Sequence, residues 1–124
     1  LRREALAVER WNRLHPQSKP RESFVEKTLA SEKGVFIAAS DWMKSLPEMI
    51  QRWVPGGLTP LGTDGFGRSE TREALRRHFE VDAECIVVAT LSKLFQQGSL
   101  DAKVVQQAIK KFKIDPEKPD PVSV

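Results

Sequence analysis

The stretch Leu58–Val81, LTPLGTDGFGRSETREALRRHFEV, decides the fold. A short apolar run, Leu58 to Leu61, ends in three glycines within six residues, Gly62, Gly65 and Gly67. Glycine tolerates positive φ and close backbone approach, so a strand can turn sharply into a helix here. Ser69 is the expected N-cap, its hydroxyl accepting from an early helical N–H. Glu70 and Glu73 then place negative charge in the first turn, where the helix dipole favours it. The pattern predicts strand, glycine turn, helix.

Upstream, Gly34–Ala39 is apolar without alternation, which suits a strand covered on both faces as in a parallel α/β sheet. Between the two strands, Ser40 or Asp41 is expected to cap a helix from Trp42 to Trp53. Pro47 either sits early in that helix, with Ser45 as the cap, or kinks it. Val54-Pro55-Gly56-Gly57 ends it. Before the first strand, Leu1–Leu14 reads as a helix with Leu6, Arg10, Trp11 and Leu14 on one stripe, stopped by Pro16. Glu22–Ala30 reads as a second helix turning Phe24, Val25 and Leu29 inward.

Downstream, Asp82 is expected to cap a helix over Ala83–Gln97. The run Ile86-Val87-Val88 argues locally for a strand, but Leu91, Leu94 and Phe95 continue a helical stripe and Gly98 ends it. Asp101 caps the last helix, where Val104, Val105, Ala108, Ile109 and Phe112 fall three and four apart. Pro116, Pro119 and Pro121 predict an extended tail, docked or frayed. The expected architecture is α/β, with residues 1–33 a helical lead-in and 34–124 the α/β region. Two strands are too few for a stable sheet, so an exposed edge should lean on other chain or on another molecule.

A chain of 124 residues carrying a net charge of +3 builds one compact domain or less. Its Lys and Arg are interleaved with Asp and Glu, unlike the concentrated footprint of a nucleic-acid binder. One cysteine, Cys85, excludes an internal disulfide framework and a Cys-based zinc site. It lies in an apolar run and is expected to be a buried structural thiol, which fits a reducing, cytoplasmic setting. No apolar run approaches the ~20 residues that span a bilayer. The opening Leu1-Arg2-Arg3, already inside a helical pattern, leads us to expect a fragment of something longer.

The glycine turn is the candidate site. Backbone N–H groups around Gly62, Gly65 and Gly67, with Arg68 and Ser69 behind them, make either an anion cradle or a tight structural turn. The spacing is neither the dinucleotide GxGxxG nor a P-loop. Asp64 lies at the tip beyond a strand's carboxyl end, where ligands of open α/β sheets gather. Its other role is an Asx turn or cap, which Thr63 could share. Arg68, Arg72, Arg76 and Arg77 form a row that Glu73 can pair with, read as a salt-bridged face or a dimer contact. The rival reading sets that row against nucleic-acid phosphate. His78 rides the same face in a solvated or capping role, and His15 is structural. No His/Asp/Glu group shows metal spacing.

The run Gly62–Asp82, GTDGFGRSETREALRRHFEVD, resembles the C-terminal domain of the homodimeric bacterial pyruvate dehydrogenases, thiamine-diphosphate-dependent relatives of transketolase. Glu9-Arg10-Trp11-Asn12 with Leu14-His15-Pro16 is similar to another segment of that family. So are Ala39-Ser40-Asp41-Trp42-Met43-Lys44 and the ending Ala108-Ile109-Lys110-Lys111-Phe112 through Asp115. The resemblance implies a three-layer α/β domain whose earliest strands are not in this chain. It implies an enzyme that decarboxylates pyruvate on thiamine diphosphate with magnesium, acts as a homodimer and acetylates the lipoyl group of an acyltransferase. That family holds its diphosphate with a GDG sequence and an Asn pair. Thr63-Asp64-Gly65 is not GDG and Asn12 is the only Asn, so cofactor and catalytic residues are expected outside this segment. The alternative is a stand-alone phosphate- or nucleotide-binding module built on the Gly62–Gly67 turn.

Overall fold

Two short strands, β1 (Ile37–Ala39) and β2 (Thr59–Leu61), lie side by side and parallel in a computed structural model that describes residues 1–124. Ile37 faces Thr59, Ala38 faces Pro60 and Ala39 faces Leu61. Thr59 donates to the Phe36 carbonyl at 2.9 Å and Ser40 to the Leu61 carbonyl at 3.0 Å. Backbone groups of alternate residues point to opposite edges. Pro60, which has no N–H, therefore faces away from β1, and proline tolerates such an edge. Ile37 and Ala39 direct their backbone groups to the other side of β1, where this two-stranded sheet has no further strand.

Six helices surround the pair: α1 (Arg2–Leu14), α2 (Phe24–Leu29), α3 (Ser45–Glu48), α4 (Arg72–His78), α5 (Ala83–Gln96) and α6 (Ala102–Lys111). Ser23 caps α2 through a reciprocal box with Glu26, each side chain taking the other's backbone N–H. Glu4 of α1 accepts from the next N–H, that of Phe24, which ties the two helices together. The ladder between Asn12 and Arg21 closes the connecting loop, each residue both giving and accepting at 2.8–2.9 Å. Arg21 then lies 3.7 Å over Trp11, which also stacks on His15.

The main core joins Ala5, Val25, Trp53 and Val54, with Leu29, Phe36, Ile50 and Leu58 packed around them. Ala5 rather than Leu6 or Leu14 is the residue α1 buries, and Phe24 of α2 stays exposed. Trp53 is held at its polar edge by Glu9, which accepts from the indole N–H at 2.8 Å and also pairs with Arg52. Truncating a buried aromatic of this kind costs about 3–5 kcal/mol. A second nucleus, Val81, Cys85 and Ala108, lies where α5 packs on α6.

The helix expected over Trp42–Trp53 does not form as one piece. A four-residue α3 and a separate 3-10 turn, Gln51–Trp53, take its place. Pro47 falls at the third position of α3, where the N–H has no intrahelical partner anyway, so the helix can begin no earlier. The residues before it are bound elsewhere, as the next subsection describes.

Three successive helices end in the same way. After α4, α5 and α6 the chain passes through a left-handed residue: Glu80 (φ 60°), Gly98 (φ 76°) and Lys113 (φ 53°). In each case the following N–H reaches back to a carbonyl one turn earlier, Val81 to Arg76, Ser99 to Leu94 and Ile114 to Ile109. This is the Schellman arrangement, and it satisfies carbonyls that the helix end leaves free. Asp82 and Asp101 cap the N-termini of α5 and α6, accepting from Cys85 and Lys103. The proline-rich tail is docked: Lys118 donates to the His78 carbonyl at 2.6 Å and pairs with Glu80 at 3.0 Å.

Candidate functional site

The turn after β2 works first as a clamp. Gly62 is buried, and a Cβ there would stand 2.5 Å from the Trp42 carbonyl oxygen and 2.9 Å from the Lys44 nitrogen. Only glycine allows that approach. Thr63 donates from its backbone to the Trp42 carbonyl at 3.0 Å and from its hydroxyl to the Asp41 carbonyl at 2.6 Å. Asp64 accepts the Lys44 N–H at 3.0 Å. Residues 41–44 thus give to the turn the hydrogen bonds that a helix from Trp42 would need. Gly65, at φ 98°, lies where a Cβ would meet the Pro121 carbonyl at 2.8 Å, so the tail closes over the same turn.

Beyond Gly65 the chain opens out. A Cβ at Gly67 would have nothing within 4 Å, and Phe66 is 83% exposed. Ser69 is exposed and caps nothing. Thr71 is the N-cap of α4, accepting from Ala74, and the chain bends at Glu70 just before it. Glu73 is therefore in the first turn, while Glu70 precedes the helix and accepts the Thr71 N–H at 2.9 Å.

The arginine row divides. Arg77 is used structurally: it pairs with Asp82 at 3.1 Å and donates to the Phe112 carbonyl at 3.0 Å, binding α4 to the end of α6. Arg76 pairs with Asp41 across a longer 3.4 Å, and its Nε is shielded from water without any acceptor. Arg68 and Arg72 take part in none of the four ion pairs, and the expected pairing of Arg76 and Arg77 with Glu73 is not made. Asp41, expected as a helix cap, instead faces Arg76; its partner is 35 residues away, so no local signal marked it. Arg68, Arg72 and Arg76 share a cavity of about 440 Å³ with Phe66, Gly67 and Asp41.

His78 is half-buried rather than solvated. Its ring meets Phe79 edge-on at 4.8 Å and its Nε2 is shielded with no partner. Desolvation, then the charges of Arg68 and Lys118, lower its pKa below the ordinary 6.5, with Glu80 opposing. Cys85 is free and buried, and burial with the Asp82 carboxylate beside it pushes the thiol up to about 12, against the opposing pull of Arg77. A thiol so placed stays protonated and unreactive at neutral pH.

No group of His, Cys, Asp or Glu is placed to hold a metal ion. Asp64 accepts from Lys44 through Oδ1, and Asn12 is bonded to Arg21 through both amide atoms. No helix is long and apolar enough to cross a membrane.

A family profile described as the transketolase-like TK C-terminal domain matches residues 3–82. The chain belongs to that family. Its match takes in the main core, both strands, the glycine clamp and α4, and ends at the Asp82 cap. Curated relatives of this transketolase-like domain extend the likeness to the C-terminal helices. The chain is 52% identical over 123 residues to the pyruvate dehydrogenase E1 component of Pseudomonas aeruginosa, with 98% of the chain covered. It is 48% identical over its whole length to that of Cupriavidus necator, and 46% over 122 residues to that of Escherichia coli K12. It spans 14% of the length of each of these three relatives.

Proposed function

We propose that this chain is the C-terminal domain of a pyruvate dehydrogenase of the E1 type. The intact enzyme decarboxylates pyruvate on thiamine diphosphate with magnesium and transfers the acetyl group to the lipoyl group of an acyltransferase. The observation that carries this reading is identity of 46–52% running through essentially the whole chain to three E1 components. The cofactor supplies the carbanion chemistry when bound, and it sits outside these residues. The contribution of this domain is architectural, with 1–33 a lead-in to the α/β region 34–124, in a cytoplasmic homodimer.

Two features of the fold support an architectural role. The outer edge of β1 carries unpaired backbone groups, and such an edge calls for a further strand or a cover. Trp42, Met43 and Phe66 stand exposed around the clamp, a grouping of large apolar side chains that fits burial against another part of an enzyme. The test is an assay of pyruvate decarboxylation and lipoyl acetylation by the longer polypeptide that carries these residues, beside the same assay on residues 1–124 alone. Turnover by the first and none by the second is expected. Turnover by residues 1–124 unaided would overturn the reading.

A further inference from the structure

The cavity between the glycine turn and α4 has a chemistry that the architectural role leaves unused. Three guanidinium groups, Arg68, Arg72 and Arg76, line about 440 Å³. Two of them have no carboxylate partner, and the third reaches Asp41 only at 3.4 Å. Glu70, the other acid on the wall, is already engaged by the Thr71 N–H. Cationic side chains gathered in one cleft repel one another, and a shielded Arg76 Nε without an acceptor is costly. A bound anion relieves the repulsion. The positive field is felt nearby, since Arg68 is one of the charges that, after desolvation, lower the pKa of His78.

We propose that the Arg68–Arg72–Arg76 cavity binds a small phosphate anion, either inorganic phosphate or the phosphate of a monoester. Guanidinium presents paired N–H donors in a planar fork that matches phosphate oxygens, and the contacts are charge-assisted. Arg76 adds a third guanidinium whose one carboxylate contact, to Asp41, is long at 3.4 Å. Phe66, exposed at the mouth, offers an apolar surface to the organic part of an ester. With Asp41 and Glu70 also on the wall, the three arginines leave the lining a net positive charge of one, which an anion offsets.

The experiment is calorimetric titration of the intact polypeptide that carries these residues, at constant ionic strength, with inorganic phosphate and separately with glycerol phosphate. It compares the natural sequence with Arg68→Gln/Arg72→Gln and, as a second variant, Arg76→Lys. Arg68 and Arg72 make no ion pair, so the double variant keeps the fold, which its melting temperature checks. Saturable phosphate binding weakened about tenfold or more in the double variant is expected from the loss of two charge-assisted contacts. Arg76→Lys keeps the charge but loses the fork, and weakening there too is expected. Tighter binding of glycerol phosphate identifies a monoester as the natural ligand, and equal binding identifies free phosphate. Absence of binding, or binding equal in the natural sequence and the double variant, would overturn the proposal. Pyruvate turnover, read in parallel, bears on the proposed function alone.

Discussion

Asp64 Oδ1 accepts the backbone N–H of Lys44 at 3.0 Å, from twenty residues further along the chain. That bond and the two from Thr63 fix where β2 ends relative to the segment that leaves β1. The Asp64 carboxylate is part-buried, so losing it strands a donor. Asp64→Ala is expected to destabilise the fold by about 1–3 kcal/mol, the usual penalty for leaving a buried group unsatisfied. Asp64→Asn keeps an acceptor at the same place and should restore most of that loss in urea unfolding. Equal loss in both variants would show that charge, not the hydrogen bond, is what matters.

Two glycines of the same turn should respond in opposite ways to alanine. At Gly62 the added methyl collides with backbone atoms of Trp42 and Lys44, which cannot step aside. Gly62→Ala is therefore expected to cost about 1–3 kcal/mol or more, as overpacking does. At Gly67 the space is open and φ is not in the left-handed region. Gly67→Ala should leave stability unchanged or raise it by up to about 1 kcal/mol through a stiffer unfolded chain. Paired thermal melts decide it.

The helix ends supply a third test. Gly98 and Lys113 occupy the same left-handed position after α5 and α6, one without a Cβ and one with. The left-handed conformation costs an L-residue roughly 1–2 kcal/mol. Gly98→Ala should therefore lower stability by about that amount, and Lys113→Gly should raise it by a smaller one, since glycine has more freedom to lose. Lys113 is preferable to Glu80 for this purpose, because Glu80 is also held by Lys118.

His78 predicts a direction for the pH dependence. Its folded pKa lies below the unfolded value of 6.5, so between the two the unfolded chain binds more protons. Stability contributed by neutral His78 is complete above pH 6.5 and is lost as pH falls from there towards the folded pKa. His78→Gln should flatten that part of the profile in denaturant titrations at successive pH values. An unchanged slope in the variant would assign it to another group.

Helix starts and stops were legible because their signals are local. Asp82, Asp101 and Gly98 act within four or five residues, and each falls where the sequence places it. The Ser23–Glu26 box is equally local, and it sets the start of α2 two residues beyond the Glu22 that periodicity suggested. Ser69 misled because it is a good cap in isolation. Thr71 competes two residues later, and Glu70 between them lies in a bend at the wall of the arginine-lined cavity.

By itself, then, the amino-acid order determined the α/β succession of elements, the two strands, the Asp82 and Asp101 caps and the likeness to a transketolase-type domain. The tertiary structure alone decided what residues 41–44 do and which groups the arginines meet. Asp64, Asp41 and the Phe112 carbonyl find partners 20 to 35 residues away, and each replaces a plausible local partner. Caps and turns depend on the next few residues and can be read from a string. A long-range hydrogen bond exists only once β1 and β2 have paired and brought its two ends together.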